Sequence, residues 1–314
     1  MKKYLFGVLI LTFGLALIGC APSTPARPTG YAHPEVLADT TWVATHQSDS
    51  QVRLLDVSSK KDVYDQGHLS GAVYVSVSEL TNPKNITPSP LETKLGQLGI
   101  KRDMTIVLYD DMSSLYAARA FFLLKQTGHA NLKILNGGSA AWTKENRGLT
   151  KDVPAFAATT YTMAPSTASD RVTVDYVSTR LHKPYFTLVD ARSAAEFTGQ
   201  QVNGPRGGHI PGAMNIEWNS TLMSDGKFRS IDELMRLYQR AGISTNSDIV
   251  TYCQSGVRGS HEWFVLKYLV GMPNVSLYEG SWAEWSSRAD LPVEIEPSVP
   301  TPQAIRTKEP DPCE

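Results

Sequence analysis

Two α/β domains in tandem, each a mostly parallel β-sheet with helices on both faces, are predicted by three observations. The chain has 314 residues, 41% hydrophobic and 19% charged, enough to bury two ordinary cores. It repeats itself over about 110 residues. Within each repeat, short β-branched runs alternate with amphipathic stretches, the pattern of strands joined by crossover helices.

The repeat is legible residue by residue. Leu54-Leu55-Asp56-Val57 returns as Leu188-Val189-Asp190-Ala191, an offset of 134 residues. Gly67-His68-Leu69-Ser70-Gly71-Ala72 returns as Gly208-His209-Ile210-Pro211-Gly212-Ala213, where the offset has grown to 141. The second copy has therefore gained seven residues, which fall in the stretch Gln200 to Gly207. Ile106-Val107-Leu108-Tyr109-Asp110 matches Ile249-Val250-Thr251-Tyr252-Cys253, and Gly137 with Trp142 matches Gly280 with Trp285, all offset by 143. In the second copy Thr187 to Asp190 and Asp248 to Tyr252 read as strands, and Ile231 to Ala241 and His261 to Val270 as helices.

The amino terminus reads as a targeting segment. Lys2 and Lys3 precede an apolar run from Tyr4 to Ile18, shorter than the roughly 20 residues a membrane span needs. Leu17-Ile18-Gly19-Cys20 resembles the lipobox of bacterial lipoproteins, which implies lipidation of Cys20 and a protein held at a membrane outside the cytoplasm, on the periplasmic side in a cell with two membranes. The expected partition is a signal peptide over 1–19, a tether over 20–32, a first domain over 33–153, a linker over 154–169, a second domain over 170–292 and a disordered, proline-rich tail over 293–314. A formal net charge of −1 provides no basic excess for a phosphate backbone, so a nucleic-acid partner is not expected.

The three cysteines are Cys20, Cys253 and Cys313. Lipidation accounts for the first and the tail holds the last, which leaves Cys253 as the thiol to explain. The run Ile249 to Tyr252 is a buried-strand pattern that ends at Cys253, and Gln254-Ser255-Gly256-Val257-Arg258 leads into a helix expected to begin near Gly259. A side chain at the carboxyl end of such a strand faces a helix N-terminus, where free N–H groups and the helix dipole stabilise an anion. For a cysteine that anion is the thiolate, its reactive form. Gly256 lets the loop curl, and Arg258 adds a cation able to hold a sulfonate, sulfate or carboxylate.

The six-residue run Cys253 to Arg258 resembles the active loop of the tandem-domain rhodanese family of sulfurtransferases, and Gly208 to Ala213 resembles that family's other signature. The resemblance covers roughly residues 33 to 292. It implies two rhodanese-like domains and a ping-pong reaction in which Cys253 takes a sulfur atom from a donor such as thiosulfate, then yields it to cyanide or a thiol. No metal and no organic cofactor is implied. Asp110 stands where the second copy has Cys253, so the first domain is expected to be catalytically silent. The resemblance also assigns Gln254, Ser255, Gly256, Val257 and Arg258 to substrate binding. Arg258 at the sixth loop position argues for thiosulfate, whereas Ser255 and Gly256 resemble the loop of mercaptopyruvate-using members. Family members often carry a donor-binding Arg where this chain has Glu196, and Arg206 in the insertion is the expected replacement.

Blander readings hold for several neighbours. His68 and His209 occupy equivalent Gly-rich turns in both copies, including the silent one, which favours a structural role over general-base chemistry. Arg192 is expected to pair with a nearby carboxylate such as Glu196, and Trp142, Trp282 and Trp285 to be core or interdomain aromatics. Two rival functions remain on the page. A related class of phosphatases also carries Cys and Arg in its loop, but this loop is one residue shorter, a ring suited to a sulfur atom rather than a tetrahedral phosphate. A sulfur carrier that loads without turnover is the other rival.

Overall fold

The computed structural model describes residues 30–81, 89–164 and 170–295. In chain order the strands are β1 (Leu37–Ala38), β2 (Val52–Asp56), β3 (Ala72–Tyr74), β4 (Thr105–Tyr109) and β5 (Leu132–Leu135) of the first domain. Those of the second are β6 (Arg171–Val172), β7 (Phe186–Asp190), β8 (Met214–Asn215), β9 (Asp248–Tyr252) and β10 (Val275–Tyr278). The sheets run β1-β5-β4-β2-β3 and β6-β10-β9-β7-β8, and every described strand pair is parallel. Identical strand order in both halves is what the internal repeat predicts.

Helices α1 (Thr40–His46), α2 (Lys61–Gln66), α3 (Pro90–Gln97), α4 (Leu115–Lys125) and α5 (Gly138–Lys144) serve the first sheet. Helices α6 (Val174–Ser178), α7 (Ala194–Phe197), α8 (Ile231–Arg240), α9 (Val257–Phe264) and α10 (Ser281–Ser287) serve the second. Helix α9 begins earlier than the sequence pattern suggests and passes at Val265–Val270 into a π-helical turn. Its early start follows from Gly256, whose φ of +86° ends the loop in a left-handed turn. Gly259 then lets the first turn lie against β9, since a Cβ there would stand 3.2 Å from the Tyr252 backbone.

Apart from Arg119, helix α4 is apolar over Ala117–Leu124 and buried throughout that stretch, a pattern that calls for burial on every side. It is covered on one side by its own sheet and on the other by α9. Phe121 meets Phe264 and Tyr268 edge-on at 5.0 and 5.1 Å, and Phe122 meets Trp263 at 4.9 Å. The largest hydrophobic cluster therefore runs through both domains rather than closing within each.

Three boundaries differ from the expected partition. Over 154–164 the presumed linker is a strap on the first domain: Thr159 N donates to Gly96 O, Ala164 N donates to Thr127 O, Tyr161 is buried, and Phe156 stacks on the Arg53 guanidinium at 3.1 Å. Tyr31 and Ala32, expected in the tether, are fixed on the second domain, where Ala32 N donates to Leu269 O and the Tyr31 hydroxyl donates to Arg229 O. Val293 and Glu294, expected in the tail, belong to the second domain, since Glu294 bridges the His209 backbone as Thr150 bridges that of His68. Residues 1–29, with Cys20 and the apolar run, and 296–314, with Cys313, lie outside the described residues. Among the described residues no helix is long and apolar enough to cross a membrane.

Candidate active site

Cys253 follows the last residue of β9, a strand hydrogen-bonded on both sides, and its side chain is buried. Both backbone groups of Cys253 are held by the opening of α10. Its N–H donates to Ser281 Oγ at 3.2 Å, and its carbonyl accepts from Trp282 N at 2.9 Å. Ser281 accepts a φ of +55° to do this, and its hydroxyl donates onward to Tyr278 O at 2.9 Å. A non-glycine residue in that conformation is strained, and the two bonds its hydroxyl makes offset the cost.

The loop turns back on the sulfur. The Gly256 N–H donates to Cys253 Sγ at 3.1 Å, so the first turn of α9 presents a backbone donor to the atom that would carry negative charge. The Gly256 carbonyl accepts from Ser260 N at 3.0 Å and from Ser260 Oγ at 2.7 Å. Thr251 Oγ1 donates to Gly259 O at 2.9 Å, fastening the end of β9 to the start of α9. Ser255 is exposed, Val257 is half-buried, and Gln254 spans from the loop to the insertion by donating from Nε2 to Asn203 O at 2.6 Å.

The loop's cation is not free. Both terminal nitrogens of Arg258 donate to Glu196, Nη1 to Oε2 at 2.6 Å and Nη2 to Oε1 at 2.9 Å. Burial acts to raise the Glu196 carboxyl, but the hydrogen bonds and charge of Arg258 outweigh it and hold the group down at about 2. Burial likewise works against the Arg258 charge, and the bond to Glu196 and the nearby Cys253 more than restore it. Glu196 also closes the capping box of α7 with Ser193 and accepts from Asn203 Nδ2 at 3.1 Å. The Ser193-to-Glu196 spacing of that box is visible in the sequence. The pairing with Arg258, 62 residues away, is not.

One sequence expectation is corrected here. Arg206 does not reach for a donor: its guanidinium donates to the carbonyls of Ser286, Leu291, Trp285 and Arg288 at 2.7 to 3.0 Å, which leaves it a clasp for the turn after α10. Arg192 pairs with a nearby carboxylate as expected, Asp190 at 2.6 Å rather than Glu196, and donates to Gly208 O at 2.8 Å. The two histidines do hold turns. His68 stacks on Tyr64 at 3.7 Å with Nδ1 on Tyr64 O, and His209 stacks on Phe197 at 3.6 Å with Nδ1 on Phe197 O. Trp282 and Trp285 are buried, each with its indole N–H on a backbone carbonyl.

The equivalent loop of the first domain keeps the cradle and fills it with a carboxylate. Asp110 is fully buried and accepts from Met112 N and Ser114 N at Oδ1, 3.0 and 2.8 Å, and from Ala117 N at Oδ2, 2.8 Å. Burial pushes its carboxyl up to about 6, against the pull of those backbone donors. The N–H groups of this loop are thus taken up by the Asp110 carboxyl.

Comparison with known proteins agrees with this geometry. The model of the Rhodanese-like domain matches twice, over residues 39–145 and 173–288. The chain is 39% identical over 279 residues to the sulfur carrier protein TtuD of Thermus thermophilus, covering 84% of this chain and 98% of that one. It is 34% identical over 278 residues to a thiosulfate sulfurtransferase of Corynebacterium glutamicum, covering 84% and 92%. Among solved structures, the anaerobic ergothioneine biosynthesis enzyme of Chlorobium limicola superposes with a TM-score of 0.76 at 27% identity, covering 86% of this chain and 72% of that one. The 3-mercaptopyruvate sulfurtransferase SseA of Escherichia coli superposes with a TM-score of 0.70 at 26% identity, covering 79% and 99%. With two matched domains, two sheets of identical strand order and a cysteine-bearing loop in the second, the chain belongs to the rhodanese family.

Proposed function

We propose that this rhodanese-family sulfurtransferase moves sulfane sulfur from thiosulfate to cyanide or a thiol through a persulfide on Cys253. The observation that carries the reading is the Gly256 N–H on Cys253 Sγ at 3.1 Å, at the carboxyl end of β9 and the start of α9. The Cys253 thiolate attacks the outer sulfur of thiosulfate. The sulfur–sulfur bond of the donor breaks, sulfite leaves with the electron pair, and an anionic persulfide remains beside the loop's N–H donors. Cyanide or a thiolate then attacks the terminal sulfur, leaves as thiocyanate or a persulfide, and returns Cys253 to the thiolate.

Intact mass of wild type and Cys253→Ser, after thiosulfate or mercaptopyruvate and then cyanide, tests this. One sulfur gained on wild type only, removed by cyanide with thiocyanate formed, is the expected result. No gain from either donor would overturn it. Mercaptopyruvate as the faster donor would move the assignment to a 3-mercaptopyruvate sulfurtransferase. A second reading, a sulfur carrier loaded by a protein partner, is favoured by the occupied Arg258 and by the relative named as a carrier. Sulfur gained from a persulfidated protein but from neither small donor would select it.

For Cys20 we propose lipidation and an extracytoplasmic, membrane-held protein, on the sequence Leu17-Ile18-Gly19-Cys20 alone. A mature chain beginning at Cys20 with a diacylglyceryl mass is expected. An unmodified chain retaining Met1 would sink it.

A further inference from the structure

We propose that Arg119, carried by the silent first domain, is a positioning residue for the sulfur-transfer loop of the second, acting through Ser260 on the Gly256 peptide. This rests on Cys253 being the sulfur-bearing residue.

The geometry forms one continuous relay across the domain boundary. Arg119 lies on α4, 6% exposed, and its Nη1 donates to Ser260 Oγ at 3.3 Å. The Ser260 hydroxyl donates in turn to the Gly256 carbonyl at 2.7 Å. The other nitrogen of Arg119 is tied to Glu279, which also holds Arg171 at 2.7 Å. Glu279 follows the last residue of β10, so the guanidinium is anchored to the strand beside β9. Gly256 is thereby fixed on both sides: its carbonyl by Ser260, its N–H on Cys253 Sγ. Arg119 also packs beside Gly256, its Nη1 3.4 Å from an ideal Cβ there, with the Glu279 carbonyl closer at 3.2 Å. The left-handed turn that aims the N–H at the sulfur is therefore packed from the neighbouring domain. A backbone donor stabilises a developing anion only if it is held in place before the charge appears.

The duplication sharpens the point, because the position equivalent to Arg119 in the second domain is Glu262 at the same offset of 143. Glu262 is buried and lies by Tyr238 of its own domain, and burial pushes its carboxyl up to about 8. The charged reach across the α4–α9 contact is thus toward the loop that bears the cysteine. This gives the first domain a role in the chemistry.

The test measures, on the full chain, the rate of sulfur loading with its kcat and KM for the donor, and the alkylation rate of the Cys253 peptide by iodoacetamide at pH 7. Variants are Arg119→Met, Arg119→Lys, Ser260→Ala and Phe121→Leu, the last loosening the α4–α9 packing without touching the relay. Arg119→Met and Ser260→Ala are expected to lower kcat and alkylation about tenfold each with KM unchanged, a fraction of what losing one oxyanion donor costs. Arg119→Lys restores part of the loss. Phe121→Leu lowers the unfolding midpoint but keeps the rate per folded molecule. Should Ser260→Ala react at the wild-type rate, or Phe121→Leu slow the reaction as much as Arg119→Met, Arg119 is interdomain glue and the proposal falls. Should wild type take no sulfur from any donor, the proposed function fails instead, and the alkylation rates still decide the positioning role.

Discussion

Glu196 holds Arg258 by both of its terminal nitrogens, at 2.6 and 2.9 Å, so the cation that ends the Cys253 loop is spent inside the protein rather than offered to the donor. The Glu196 side chain is 4% exposed and that of Arg258 22%, which makes the pair a buried brace between α7 and the start of α9.

Replacing Glu196 with Gln therefore has two expected effects. Stability at pH 7 falls by about 2–3 kcal/mol, because a partly buried guanidinium loses its counter-charge. The carboxyl is depressed in the folded protein from 4.5 to about 2. Its contribution is thus complete above about 4.5 and is lost as pH falls toward 2, so the deficit of the variant narrows only below pH 4.5. Urea unfolding at pH 7, 5 and 3 measures this. The freed Arg258 should also lower the KM for thiosulfate, and an unchanged KM would count against a charge-masking role.

Arg206→Ala should behave as a structural lesion. Four carbonyls lose a charged donor, and a loss of about 3 kcal/mol is expected, with the donor KM within twofold of wild type. A large rise in KM with little loss of stability would return Arg206 to the donor site.

Gly256→Ala places a Cβ on a residue with φ of +86° and against Arg119 and Glu279. The backbone preference alone costs about 1–2 kcal/mol. The loop should relieve it by moving its N–H off the sulfur, so sulfur loading falls by about tenfold or more. Loading rates against thermal unfolding midpoints separate the two effects.

Asp110 should titrate near pH 6 in the folded protein, readable from its side-chain carboxyl carbon by NMR. Because its folded value is raised above the ordinary 3.8, the native state holds the proton more tightly. Its contribution to stability is present below about pH 4 and lost as pH rises through 6, on the order of 2–3 kcal/mol. A midpoint below 4 would mean that the three backbone donors outweigh burial.

Much of the site was legible because it is local. The strands at Thr187 to Asp190 and Asp248 to Tyr252, the Cys253 loop and Asp110 at its equivalent place all follow from runs a few residues long, repeated at a fixed offset. The partners of Arg206 and Arg192 are not legible in the sequence for one reason: a guanidinium is long and flexible, and its partner is set by which oxygen lies nearest in space. Glu196 pairs with Arg258, 62 residues away, rather than with Arg192 four residues away. The strap over 154–164 lacks either hydrophobic period because a single extended segment lying on a domain needs none.

By itself the sequence determined a duplicated α/β chain, one cysteine at a strand end and a second copy of the loop with a carboxylate in its place. Those follow from periodicity and from which side chains can carry sulfur. Tertiary structure alone decided where the charges go: Arg258 to Glu196, Arg206 to four carbonyls, Arg119 across the domain boundary to Ser260. Ion pairs and hydrogen bonds act over a few ångströms in space and are indifferent to separation along the chain, so no spacing in the sequence encodes them.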